Sequence, residues 1–152
     1  MFDAITARAR RPHWYSEGKV PDTLDGRFAM LATLTALVIV RLEAEGDHGE
    51  ATSVALTERF IEVMESEHRE LGLGDPTLGR TVRKLVGSLA RRTDLWRSAV
   101  HGEGDWAAAA HDSLYKTAAP PDALQHCAAE LDRFWQDLQR CALSDLDHGR
   151  LA

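Results

Sequence analysis

Thirteen consecutive residues, Phe28 to Val40 (FAMLATLTALVIV), carry no charge and are apolar at every position but two threonines. Arg27 precedes the run and Arg41 follows it. A helix of this composition is apolar nearly all round, so it is stable in water only with other helices packed on every side. It is too short to span a bilayer, which takes about 20 apolar residues. The run therefore predicts a buried helix at the centre of a helical bundle. With 152 residues, 44% of them apolar and 28% charged, the chain is large enough for one soluble domain built around such a core.

The rest of the chain supplies the surrounding helices. No stretch alternates with period two, and no Asn-Gly turn joins β-branched runs, so strands are not expected. Helical spacing recurs throughout. The reading is an all-α protein, one domain over residues 1–152, folded as a bundle of five to six helices. Residues 1–11 form a short N-terminal helix with Phe2 and Ile5 inward, and residues 13–21 form a loop whose Trp14 and Tyr15 cover the core edge. The central helix spans residues 23–45, opened by Asp22 and Asp25 in a capping-box-like pair near its positive end. Gly46 and Gly49 break the chain, and a second long helix over 50–71 turns Leu56, Phe60, Val63, Met64 and Leu71 inward. Asp75 caps a third helix that starts at Pro76 and reaches Val100. Asp105 caps an alanine-rich helix to residue 116, and residues 122–143 carry the cleanest apolar stripe, including Leu124, Leu131, Phe134 and Leu138. The tail, 144–152, is expected to be flexible. Cys127 and Cys141 share the last long helix, about 21 Å apart, so they read as buried free thiols rather than a disulfide.

Several short motifs suggest chemistry. Residues 74–81, GDPTLGRT, differ from the phosphate-loop pattern only in having Arg80 where that pattern has lysine. A phosphate loop follows a strand, whereas the preceding EVMESEHRELG is helical, so the segment reads as a helix start and nucleotide binding is not expected. Glu65-x-x-His68 and Glu45-x-x-His48 each match half of the carboxylate–histidine motif of di-iron bundles. A full site needs ligands from four helices, and the expectation is no metal and no cofactor. His111-Asp112 and His126-Cys127 are sequence neighbours, which point apart on a helix, and no nucleophile motif accompanies them.

Charge is distributed unevenly. The net charge is −6, which gives no global attraction to nucleic acid. Residues 80–97 nevertheless hold six cations against Asp94, a local +5 that leaves −11 on the rest. Arg80, Arg83, Lys84 and Arg91 fall on one helical face. This face is either solvated and salt-bridged to the glutamates of residues 58–70, or a docking face for acidic loops, anionic lipid headgroups or RNA phosphate. No aromatic residues interleave with the cations, so base stacking and specific nucleic-acid binding are not expected.

HWYSEGKVPDTLDGRFAML, then the long apolar helix, then RELGLGDPTLGRTVRKLVGSLARR, together resemble the ubiquinol-cytochrome c chaperone family over residues 12–140. The motifs that carry the likeness are PDTLDGRF and GLGDPTLGRTVRKL, in this order and separated by two long helices. The resemblance implies an all-helical, non-catalytic assembly chaperone that binds newly made cytochrome b and assists biogenesis of the respiratory bc1 complex. Mitochondrial members work with a small partner subunit near the ribosomal exit. No transit peptide is evident here, so the resemblance is to a bacterial-type member, cytoplasmic and peripheral at the inner membrane, with the partner subunit left open. Transferred onto this sequence, the partner-binding candidates are Asp22, Asp25, Gly26, Arg27 and Phe28 from the first motif and Asp75, Gly79, Arg80, Arg83 and Lys84 from the second; Arg91 extends the basic face. Arg80 stands where the family is expected often to carry lysine. The expected binding surface is the basic helix face plus an apolar cleft. The rival reading is a peripheral membrane-binding helical adaptor with no cytochrome b client.

Overall fold

The apolar run is the middle of the third helix in a computed structural model that describes residues 1–72 and 74–151. Leu73, inside the second motif, and Ala152, the end of the tail, lie outside the described residues. Eight helices follow one another: α1 (Phe2–Ala9), α2 (His13–Ser16), α3 (Leu24–Glu43), α4 (Gly46–Glu70), α5 (Asp75–Val100), α6 (Trp106–Leu114), α7 (Pro121–Arg140) and α8 (Leu143–Asp147). There is no strand among the described residues, so the all-α reading holds, with two more helices than the longest expected count. The additions are α2 and α8, of four and five residues, too short to show helical periodicity. No helix among the described residues is long and apolar enough to cross a membrane.

The other long helices and α1 and α6 pack around α3. From Ala32 to Leu42 every residue of α3 is buried. The two threonines fit because each hydroxyl donates back to its own helix, Thr33 Oγ1 to the Ala29 carbonyl at 2.7 Å and Thr35 Oγ1 to the Leu31 carbonyl at 2.7 Å. Arg41 is buried as well, at 8% exposure. Its guanidinium donates to the carbonyls of Leu138 at 2.9 Å and Cys141 at 2.8 Å, and to Glu45 at 2.6 Å. The end of α3 thus satisfies the open carbonyls at the end of α7.

Several local expectations are corrected. The N-cap of α3 is Thr23, whose hydroxyl accepts from the Gly26 N–H at 3.1 Å, not an aspartate. Asp22 and Asp25 turn outward to cations. The α3–α4 link is only Ala44 and Glu45, and Gly49 sits inside α4 rather than in a break. A Cβ on Gly49 would lie 2.0 Å from the Leu42 carbonyl oxygen, so glycine is what lets the two helices close up at the turn. Gly74 is the N-cap of α5, with Asp75 already its first residue, and α5 runs unbroken to Val100. Leu71 is exposed, not inward, because α4 ends at Glu70. Residues 13–16 are helical rather than a loop, though Trp14 does cover the core, buried with its indole N–H on the Arg8 carbonyl. Within the tail, α8 buries Leu146, and Leu151 is buried beyond it. Both cysteines are buried and free.

Replacing Arg41 by methionine keeps the stem but leaves the Cys141 carbonyl without a donor and the Leu138 carbonyl with only the Cys141 N–H. The expected cost is about 3 kcal/mol, with the melting temperature lowered by roughly 10 °C. Urea and thermal unfolding of Arg41→Met measure it, and an unchanged midpoint would show that water or local rearrangement replaces the guanidinium.

Candidate functional site

PDTLDGRF builds one wall of an open cleft. Gly26 lies under the Pro21 carbonyl, where an added Cβ would come within 1.8 Å of the oxygen, so the chain enters α3 through a turn tighter than any side chain allows. Gly26 is buried and offers no surface. The residues around it point outward. Arg27 Nε donates to Asp22 at 2.8 Å, and Lys116 Nζ to Asp25 at 2.9 Å. The Lys116 hydrogen bond, aided by the charge of nearby Lys84, holds the Asp25 carboxyl below its usual range. Phe28 is half-buried, its ring 5.9 Å from that of Phe60 and 5.8 Å from the Arg92 guanidinium carbon.

Asp22, Asp25, Arg27 and Phe28 line a cleft of about 1160 Å³ with parts of α1, α2, the end of α4 and Leu85 of α5. Its apolar lining includes Leu24, Phe28, Leu31, Met64, Leu71 and Leu85. Leu24 and Leu71 are 68% and 60% exposed, and the one other strongly exposed large apolar side chain among the described residues, Val54, lies outside it. A second hollow of about 390 Å³ continues the cleft along α1 and α4, sharing Thr6, Arg10, Leu31 and Glu67. The volume exceeds that of an ordinary small-molecule pocket.

The second group of candidates lies beside this cleft, not in it. Asp75, Arg80, Arg83, Lys84 and Arg91 are exposed on α5, and Gly79 is half-buried with the Arg83 guanidinium over it. None of them lines the cleft, but Leu85 does, next to Lys84. The salt bridges to the glutamates of α4, one of the two readings of this face, are absent among the described residues. Two cations counted in the basic segment add no free charge to its surface in the way the four exposed ones do, one being buried and the other paired. Arg92 is buried, donating to the Ser113 carbonyl at 3.1 and 2.8 Å and to Ser88, and burial together with Arg91 pushes its pKa down to about 10. Arg97 is held by Glu43 at 2.6 Å and Asp94 at 2.7 Å, which raise its pKa.

The remaining motifs resolve into structural contacts. His68 Nδ1 meets the Met64 carbonyl at 2.8 Å, Glu45 pairs with Arg41, and His48 pairs with Asp147 at 3.1 Å. No group of three or more His, Cys, Asp or Glu side chains with metal-binding geometry occurs among the described residues. His111 does reach its neighbour Asp112, at 3.2 Å, contrary to the expectation for adjacent residues, and its other nitrogen meets the Thr117 carbonyl at 3.2 Å. Cys127 and His126 do point apart. Burial raises the Cys127 pKa, and the Tyr115 hydroxyl donates to its sulfur at 3.2 Å. His126 bridges His13 at 3.0 Å and Glu17 at 3.3 Å, and so ties α2, whose Tyr15 and Ser16 line the cleft, to α7.

The cleft lining missed in the sequence is mainly Leu24, Leu31, Met64, Leu71 and Leu85. Leu24 was available as an apolar residue between two aspartates at a helix start; the others read as core.

Among the described residues the molecule is thus helical, with an open apolar cleft beside a cationic helix face. The chain belongs to the ubiquinol-cytochrome C chaperone family, whose model matches residues 16–149. It is also similar to the crystal structure of the Cbp3 homolog from Brucella abortus, with 25% identity and a TM-score of 0.81 over 97% of this chain and 83% of that one. No curated protein matches the chain.

His13 gives the cleft wall a pH dependence. Burial lowers its pKa from 6.5, with His126 and Arg11 adding to the effect and Glu130 and Glu17 opposing it. The unfolded chain therefore binds more protons, so the contribution is complete above the unfolded value and is lost as pH falls below it. Urea unfolding between about pH 7.5 and pH 5.5 should show stability falling with pH, with a shallower slope in His13→Gln. Equal slopes would remove His13 as the cause.

Proposed function

We propose that this protein is a non-catalytic assembly chaperone of the bc1 complex that binds newly synthesised cytochrome b, working at the inner membrane surface. Family membership and the likeness to a Cbp3 homolog support the assembly role. The observation that supports client binding is the cleft: apolar, open to solvent, and rimmed by two exposed leucines, one opening α3 and one just past the end of α4. Exposed apolar surface of this kind is uncommon on a protein that works alone and marks a site where another apolar surface is covered. The α4 wall, from Arg59 to Leu71 across both hollows, is roughly 18 Å long. That length suits three turns of an apolar helix, the kind of segment a membrane-protein client exposes before assembly.

Asp22, Asp25, Arg27 and Phe28 have distinct places in this reading. Phe28 supplies apolar floor. The Asp22–Arg27 and Asp25–Lys116 pairs form a polar edge that is already neutralised, so a client need not strip unpaired charges of water.

The test is co-purification. The tagged protein, recovered from gently solubilised membranes of its source cells, should bring cytochrome b with it. Leu24→Asp with Leu71→Asp, both at exposed positions, should leave the melting temperature unchanged and reduce recovery at least tenfold. Absence of cytochrome b from the wild-type eluate, or equal recovery with the double variant, would sink the reading. Reversal of Arg83 and Lys84 in the same assay separates the cleft from the basic face, since a client held by the cleft alone is recovered undiminished.

A further inference from the structure

Arg80, Arg83, Lys84 and Arg91 are exposed, and among the described residues none has a carboxylate within ion-pair distance, whereas eight of the other fourteen lysines and arginines do. The four span roughly 16 Å of α5. Along this stretch of α5 the helix carries little side chain: a Cβ on Gly87 would meet nothing within 4 Å, Ala90 is exposed, and at Gly79, just before Arg80, only the Arg83 guanidinium lies near. Long cationic arms therefore stand over a low, straight surface with no side-chain pocket between them. The rest of the molecule carries −10, the net −6 less these four positive charges. An anionic plane thus repels most of the protein and attracts this side.

We propose that this face of α5 docks the protein on an anionic phospholipid bilayer. An acidic protein partner would call for complementary knobs or hollows, which the bare strip lacks. A strip-bound nucleic acid would gain from aromatic platforms, which do not interleave with the cations. A headgroup plane needs neither; it takes flexible arginines and a lysine within reach of its phosphates. Docking itself does not depend on which client the cleft accepts, so it is tested without one.

The purified full chain is sedimented with vesicles of phosphatidylcholine alone and with vesicles containing phosphatidylglycerol, at low and at physiological salt. Binding is expected only to the phosphatidylglycerol vesicles and should weaken as salt rises. Each cation removed should weaken partitioning about fivefold, so Arg80→Gln, Arg83→Gln and Lys84→Gln together should weaken it on the order of a hundredfold. The melting temperature should not change. Arg83→Lys, which keeps the charge, should bind as the wild type does. Arg133→Gln, Arg140→Gln and Arg150→Gln change the net charge equally but lie elsewhere, and should leave binding intact. The proposal is overturned if the wild type ignores phosphatidylglycerol vesicles, if the α5 triple variant binds as well, or if the second triple variant loses binding equally. Tighter binding of a homopolymeric RNA than of the vesicles would also overturn it. These outcomes are independent of cytochrome b recovery, so failure here and failure of the chaperone reading are distinguishable.

Discussion

Burying α3 from Ala32 to Leu42 takes most of its apolar run out of water but also brings the ends of neighbouring helices into the interior, where their open carbonyls have no water to bond. Two arginines resolve this. Arg41, from α3, reaches the carbonyls that end α7, and Arg92, from α5, reaches the Ser113 carbonyl near the end of α6. In each case a buried guanidinium meets the negative end of a helix, so the charge is partly balanced by the dipole it caps. Arg92 has no carboxylate partner among the described residues and stays protonated at neutral pH, since burial brings its pKa down only to about 10. No buried side-chain nitrogen or oxygen among the described residues lacks a partner. The core is apolar in composition, but its closure is polar.

This division decides what the sequence could reveal. The apolar elements were legible: the length of the Phe28–Val40 run, the stripe from Leu124 to Leu138 and the Asp105 cap all appear in the structure, the last with its carboxylate on the Ala108 N–H. Periodicity reports burial directly, so these could be read. The destinations of polar side chains could not. Arg92 sits one residue from Arg91 and looks equivalent, yet one is interior and the other solvated, because 100° of helical rotation separates them. Thr23 and Asp22 are both good caps; backbone geometry, tightened by Gly26 under Pro21, selects the threonine. The tail looked polar, and the apolar Leu146 and Leu151 that anchor it are too sparse to show a period.

The candidate site was legible as two motifs and not as a place. Family resemblance marks both segments, but only Asp22, Asp25, Arg27 and Phe28 converge on the cleft, while Gly26 serves the turn that positions them. The cleft arises from pieces of α1, α2, α3, α4 and α5, and its most telling residues are leucines left exposed. An apolar residue at helical spacing is ordinarily core. Nothing local distinguishes Leu71, where α4 stops one residue early, from Met64 seven residues before it, which is buried.

The walls of the cleft are held unequally, and this bears on how it takes a large occupant. The α3 wall is fixed by the Thr23 cap, by Gly26 against the preceding turn, and by Phe28 between Phe60 and Arg92. The α2 wall is fixed by Trp14 in the core and the histidine pair with α7. Among the described residues the end of α4 has no such anchor: beyond Met64, His68 is half-buried and the other residues to Leu71 are exposed. A helix end with little buried surface opens at small free-energy cost. Widening the cleft is therefore cheapest at the α4 wall. That wall presents Leu71 to the occupant and precedes α5 in the chain. Displacing it would leave the motif residues on α3 in place, so the part of the cleft that carries the first motif keeps its shape while the opposite wall adjusts.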